Sequence, residues 1–249
     1  MDIVLSRILM YLNGCLDDDH MYRIGNFIIK NYRHMPEYTM EAMEKEGFTQ
    51  GEILDFCRHL GFDTYEDFLQ KMEFDQGTRL DQITLRMINS DVSLCLSKLD
   101  ISSTPEEFCA LIDRVAELIF ENNRVVIVGD LYPSSIAVEL QTDLISLGKE
   151  VVCYHHFDKN FRFHEDDVVI FMTATGRTMR SNAKKMKAQD LCDAWVVLIT
   201  QNARYRSYDG VKSDYTIHVK GRYDGIEFNH QLMLIFDMIR IRYYQKYFV

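Results

Sequence analysis

Residues 167–178 read Asp-Val-Val-Ile-Phe-Met-Thr-Ala-Thr-Gly-Arg-Thr. The run from Asp167 to Phe171 is apolar on both faces of an extended chain, the pattern of a strand covered on both sides in a parallel sheet. It ends in three threonine hydroxyls, a permissive glycine and an arginine within six residues, and a helical pattern follows. Such a strand–loop–helix junction nests a phosphate without an acid or base, through Thr173, Thr175, Gly176, Arg177 and Thr178. The plainer reading, a capped strand-to-helix turn, rarely needs three hydroxyls.

The same grammar repeats outward. Arg124 to Val128 is a β-branched run ended by Gly129, and Ser134 and Ser135 open the next helical stretch, 134–147. Those hydroxyls, with the partial positive charge of a helix N-terminus, suit an anion. Simple N-capping by Ser134 explains them equally well. Further strands are expected at 151–154, 195–199 and 215–219, with a closing helix at 227–246. Strands alternating with helices predict a parallel five-stranded sheet in a three-layer α/β domain. In such sheets the ligand crevice lies at the carboxyl ends of the strands, where both loops fall.

Up to about residue 100 every periodic segment is helical: 2–13, 19–34, 37–46, 50–60, 63–73 and 78–99. Thr49 with Glu52 forms a capping box, and Gly61 suits a C-cap. Residues 37–61 therefore read helix, glycine turn, helix, a layout shared by simple packing and by the DNA-binding motif. The expected organisation is an all-α domain at 1–76, a helical connector at 77–104 and an α/β domain at 105–249.

Charge and composition narrow the function. The 249 residues carry a net charge of −10. Residues 1–75 hold 7 basic and 15 acidic side chains, a balance of −8. That surface repels a phosphate backbone. The six cysteines show no C-x-x-C pair and read as reduced core thiols. No metal spacing is present, and no cofactor is expected. No apolar run is long enough for a membrane, and the N-terminus lacks a signal-peptide pattern. A cytoplasmic protein is expected. Candidate bases (Glu139, His155, His156, Glu227 and His230) lack a spacing that singles one out, so no catalytic residue is assigned.

Two resemblances connect these parts. Gly47 to Phe62 resembles the recognition segment of RpiR-type bacterial transcription regulators, roughly G-V-S-x-A-T-V-x-R-F-C-x-K-L-G-F. Phe56, Cys57, Leu60, Gly61 and Phe62 coincide with it. Glu52 and Asp55 stand where that family has threonine and arginine. From about 105 onward the chain resembles the SIS (sugar isomerase) domain. The family's S-x-S-G-x-T is T-x-T-G-x-T here, and Gly148-Lys149 fits its L-x-x-x-G-K. Leu131 and Pro133 depart from its first loop, G-x-G-x-S, and Arg177 replaces a common glutamate.

The resemblance implies a helix-turn-helix domain followed by a SIS-like domain. The implied protein is a regulator answering to a phosphorylated sugar effector held by Gly129, Ser134, Ser135 and the Thr173–Thr178 loop. DNA contacts would come from Thr49, Gln50 and Arg58. With Glu52 and Asp55 in place, DNA binding is weak, shifted to other residues or lost. A homodimer or tetramer is expected, since such readers pair to match two half-sites. The aromatic C-terminal helix offers apolar surface for that contact.

Overall fold

The computed structural model describes residues 3–249. The chain begins with α1 (Val4–Gly14), α2 (His20–Lys30), a 3-10 segment (Tyr32–Glu37), α3 (Met40–Lys45), α4 (Gln50–His59), α5 (Tyr65–Met87) and α6 (Val92–Leu96). Then come α7 (Pro105–Glu121), β1 (Arg124–Gly129), α8 (Leu131–Ile136), α9 (Val138–Ser146), β2 (Glu150–Cys153), β3 (Asp167–Thr173), α10 (Arg177–Lys187), β4 (Trp195–Thr200), β5 (Ser207–Tyr208), β6 (Val211–Lys212), β7 (Tyr215–His218) and α11 (Gly225–Tyr247).

Local chemistry places most of these boundaries. Thr49 accepts from the Glu52 amide while the Glu52 carboxylate accepts from the Thr49 amide, closing the expected capping box of α4. Thr104 and Glu107 do the same for α7, with Pro105 in its first turn. Gly47, at φ +97, turns the chain between α3 and α4. This glycine turn joins α3, only 6 residues long, to the 10 residues of α4.

Five strands form one parallel sheet in the order β2-β1-β3-β4-β7. β1 continues to β2 on one side and the chain then returns to β3 on the other. The strand order therefore reverses between β1 and β3, which opens a crevice above their carboxyl ends. Alternation along β1 divides the core. Val125 and Ile127 join the cluster with α7, α9 and α11, while Val126 and Val128 join the one under α10.

Several expectations shift. The helices expected at 63–73 and 78–99 are instead one helix, α5, and a short α6. Gly77 has open space around it and does not interrupt α5, so the boundary drawn at 76–77 falls inside a helix. The helix expected over 134–147 begins at Leu131 and divides at Ala137. The hairpin β5–β6 was not anticipated, because its strands have two residues each.

The N-terminal helices share the core of the α/β part: α1, α2 and α5 contribute to the same apolar cluster as α9 and α11. Polar contacts stitch the same seam. The Asn13 amide donates to the Ser134 carbonyl at 3.1 Å and to Gln141 Oε1 at 2.7 Å. Arg79 on α5 reaches the buried Asp143 on α9, with Nε–Oδ1 at 2.8 Å. The aromatic end of α11 is used internally: Phe236, Tyr243 and Tyr244 are buried, and Tyr247 stacks on Phe120 at 3.8 Å between centroids. Phe120, Phe248 and Val249 remain exposed beside these buried rings.

Candidate functional site

A cleft of about 760 Å³ opens at the crevice between β1 and β3. Three elements build it. The loop after β1 supplies Asp130, Pro133 and Ile136. The end of β3 and the following loop supply Met172 through Thr175 and Arg177. The approach to α11 and its first turns supply Tyr223, Gly225, Ile226, Phe228, Asn229, His230 and Met233.

The β3 loop is held in a shape that leaves its hydroxyls useful. Thr173 Oγ1 accepts from the Gly176 amide at 3.0 Å, and Thr175 Oγ1 accepts from the Arg177 amide at 3.4 Å. A hydroxyl that accepts in this way keeps its own proton to donate to a ligand oxygen. Asn202 Nδ2 donates to the Thr175 carbonyl at 3.2 Å and fastens the loop to the end of β4. Gly176 sits at φ +89, and a Cβ there would stand 2.1 Å from the Tyr205 ring. Only glycine fits both constraints. Arg177 then opens α10, whose N-terminus adds partial positive charge.

The residues expected to hold a ligand divide into groups. Thr173, Thr175 and Arg177 line the cleft, and Gly176 shapes the turn between them. Thr178 is 2% exposed, and its Oγ1 finds no hydrogen-bond partner among the described residues. Gly129 lets β1 pass Met172, whose Cε would lie 2.6 Å from an added Cβ. Ser134 is buried, with its hydroxyl donating to the Gly129 carbonyl at 3.5 Å. Ser135 faces a separate hollow beside Met10, Asn13 and Glu139. Neither serine lines the cleft.

The apolar wall of Ile226, Phe228 and Met233 was missed. In sequence these residues are indistinguishable from the core stripe of any closing helix. Tyr223, at φ +60, carried no sequence signal either.

Of the five candidate bases only His230 lines the cleft. Glu139 pairs with Arg79, Arg86 and Arg240. Burial opposes its charge, but these guanidiniums hold its carboxyl below the usual range. His155 packs against Tyr22 and Phe157, and burial pushes its pKa down to about 4. His156 is exposed. Glu227 accepts from the Arg222 amide at 3.1 Å. Among the described residues no group of three or more His, Cys, Asp or Glu is arranged to hold a metal. No helix among them is long and apolar enough to cross a membrane.

On α4, Gln50, Asp55 and Arg58 are exposed while Ile53, Phe56 and Cys57 are buried. Both acids are engaged within the chain. The Glu52 carboxylate accepts from the Thr49 amide and hydroxyl, each at 2.8 Å, and these bonds hold it below the usual carboxylate range. Asp55 lies 3.2 Å from His20 Nε2 on α2.

No protein-family model matches the chain, and no curated protein matches it. Among solved structures it is similar to a Vibrio vulnificus NanR protein complexed with ManNAc-6P. That likeness has 15% identity, a TM-score of 0.44, and coverage of 98% of this chain and 92% of the other. It is also similar to the sugar isomerase domain of an RpiR transcription factor from Sphaerobacter thermophilus, at 16% identity and TM-score 0.45, over 67% and 90% of the two chains. A third likeness is to the C-terminal domain of a Francisella tularensis glucosamine-fructose-6-phosphate aminotransferase, at 14% identity and TM-score 0.40, over 77% and 48%. At these values the likenesses assign no family to the chain.

Proposed function

We propose that this protein is a sugar-phosphate-responsive transcription regulator of the RpiR type. The observation that carries the reading is the cleft at the β1–β3 crossover, with two threonine hydroxyls and Arg177 converging at the mouth of α10. A phosphate is dianionic and rich in acceptors, so hydroxyl donors, a guanidinium and a helix N-terminus suit it. Asp130 and Asn229, on the same cleft, offer acceptors and donors to sugar hydroxyls. With His230 the only one of the candidate bases on the cleft, we propose sensing rather than turnover. DNA contact is assigned to the exposed face of α4, through Thr49, Gln50 and Arg58, in a homodimer or tetramer.

A second reading is favoured by one observation. Glu52 and Asp55 flank that face, so a sugar-phosphate-binding protein with weakened or lost DNA binding is the alternative. The ligand test is thermal. A phosphorylated sugar at about a hundred times its dissociation constant should add roughly 2.7 kcal/mol. At about 2–4 °C per kcal/mol, that is a rise of roughly 5–10 °C in Tm. Thr175→Val with Arg177→Ala should abolish it. A panel of hexose, pentose and amino-sugar phosphates that leaves Tm unmoved refutes the sensor. Light scattering that returns a monomer mass at micromolar concentration refutes the assembly.

A further inference from the structure

The chain is acidic as a whole, yet one stretch of it is basic. Residues 174–212 hold 8 Lys and Arg against 3 Asp and Glu, a balance of +5 in a protein of −10. Much of this charge lies on α10. Arg177, Arg180 and Lys184 are exposed and Lys187 is half-buried, while Met179, Ala183 and Met186 are buried against the sheet. At 100° per residue, positions i, i+3, i+7 and i+10 fall on one side of a helix, so these four cations make a ridge about 15 Å long.

Several cations elsewhere are held by carboxylates: Arg79, Arg114, Arg124 and Arg240 each meet one. Among the described residues, no carboxylate stands within 4.0 Å of the four ridge cations. The hairpin beside α10 widens the face. Lys187 Nζ would lie 2.8 Å from a Cβ at Gly210, and Arg206 and Lys212 are exposed on the same hairpin. Tyr205 and Tyr208, 6.1 Å apart between ring centroids, lie among these cations.

The ridge is on the sheet face opposite the acidic N-terminal helices, because α10 covers one apolar cluster and α1, α2 and α5 contribute to the other. A chain gains no folding stability from holding like charges together without counter-charge; self-repulsion opposes it. The arrangement suits a polyanion that brings the missing charge.

We infer that the α10 ridge is a nucleic-acid phosphate-backbone contact, separate from the face of α4. It shares Arg177 with the cleft, while Arg180, Lys184 and Lys187 stand outside it. Non-specific nucleic-acid affinity comes from Lys and Arg neutralising phosphates and releasing counterions, with a salt slope of about −0.9 per contact on duplex DNA. Four contacts imply a slope near −3.6, a loss of roughly a hundredfold between 50 and 200 mM salt. An arbitrary-sequence contact is expected, since no base-reading geometry is involved.

The test is fluorescence anisotropy of the full chain with a labelled duplex of arbitrary sequence at both salt concentrations. The native protein should bind with a slope near −3.6. Arg180→Glu with Lys184→Glu should lose at least tenfold and flatten the slope by about 2. Lys98→Ala, at an exposed cation outside both α10 and α4, should change little. Both substituted positions on α10 are exposed, so melting temperature should hold; Arg180→Gln with Lys184→Gln serves if the reversal unfolds the protein. The sugar-phosphate thermal shift, measured on the same variants, separates a failure here from a failure of the cleft. Absence of binding at 50 mM, or binding indifferent to the α10 variants, overturns the inference. So does salt-sensitive self-association that vanishes in those variants while the duplex stays unbound, which would give the ridge to a second copy of this chain.

Discussion

Thr178 and His155 show how a single side chain in this protein records its surroundings. The Thr178 hydroxyl is buried beside the cleft loop and unpaired among the described residues. An unpaired buried donor costs roughly 1–3 kcal/mol, so Thr178→Val should leave the protein as stable or raise its stability by up to about 1 kcal/mol. Chemical denaturation that shows a loss above 1 kcal/mol would mean the hydroxyl is bonded. His155 makes a second prediction. Burial lowers its pKa from 6.5 to about 4, so in that interval the unfolded chain binds a proton that the folded one refuses. Stability then rises with pH across pH 4–6.5 and falls as the solution is acidified. The contribution of this one ring is on the order of 2–3 kcal/mol. The denaturation midpoint of the native protein should drop more between pH 7 and pH 4.5 than that of His155→Gln. Equal drops would place the acid sensitivity elsewhere. The hydroxyl-rich β3 loop was legible because its meaning is local: Thr173, Thr175 and Gly176 are set by neighbours two or three positions away. The orientation of Ser134 was not, because the carbonyl it carries is claimed by Asn13, a residue 121 positions earlier.

At the scale of elements, α4 illustrates why a familiar helix pattern does not by itself carry a familiar activity. Its frame was readable from a capping box and a buried stripe, and both are present. What the sequence could not show is where its two acids go, since Asp55 meets His20 on a different helix. Glu52→Thr with Asp55→Arg is expected to strengthen non-specific duplex binding by at least tenfold, on the order of 1.4 kcal/mol. Glu52 is also half of the capping box, so the variant should lose some stability as the Thr49 amide loses its acceptor. The two measurements separate the roles: a stability loss without a gain in binding would mean that the face of α4 does not meet DNA. The missed elements fail for a related reason. The hairpin β5–β6 is too short to show alternation, and the apolar wall of the cleft sits on α11, where Ile226 and Met233 repeat at the spacing of ordinary core positions. They are 77% and 52% exposed, which no periodicity could reveal.

Across the whole molecule the N-terminal helices and the α/β part behave physically as one body, because the contacts between them are too buried to separate at low cost. Asp143 on α9 is 1% exposed and is met by Arg79 from α5 and Arg240 from α11. Burial alone would drive its proton affinity upward, and the two guanidiniums oppose that. Asp75 on α5, also fully buried, accepts from the Val4 amide at 2.9 Å and so caps α1. Removing one partner of a buried ion pair leaves an uncompensated charge, at about 3–5 kcal/mol. The consequence can be watched with two independent probes. Trp195 is the single tryptophan and lies on β4, so its fluorescence reports the α/β part. Far-UV circular dichroism is weighted toward the helices, many of which are N-terminal. If one core unites both, the two signals should change at the same denaturant concentration, as in a single cooperative transition. Arg79→Met should then lower both midpoints together, because Asp143 keeps only Arg240 as a partner. Two separated transitions in the native protein, or a variant in which only one signal moves, would show that the seam is weak enough for the N-terminal helices to come away on their own.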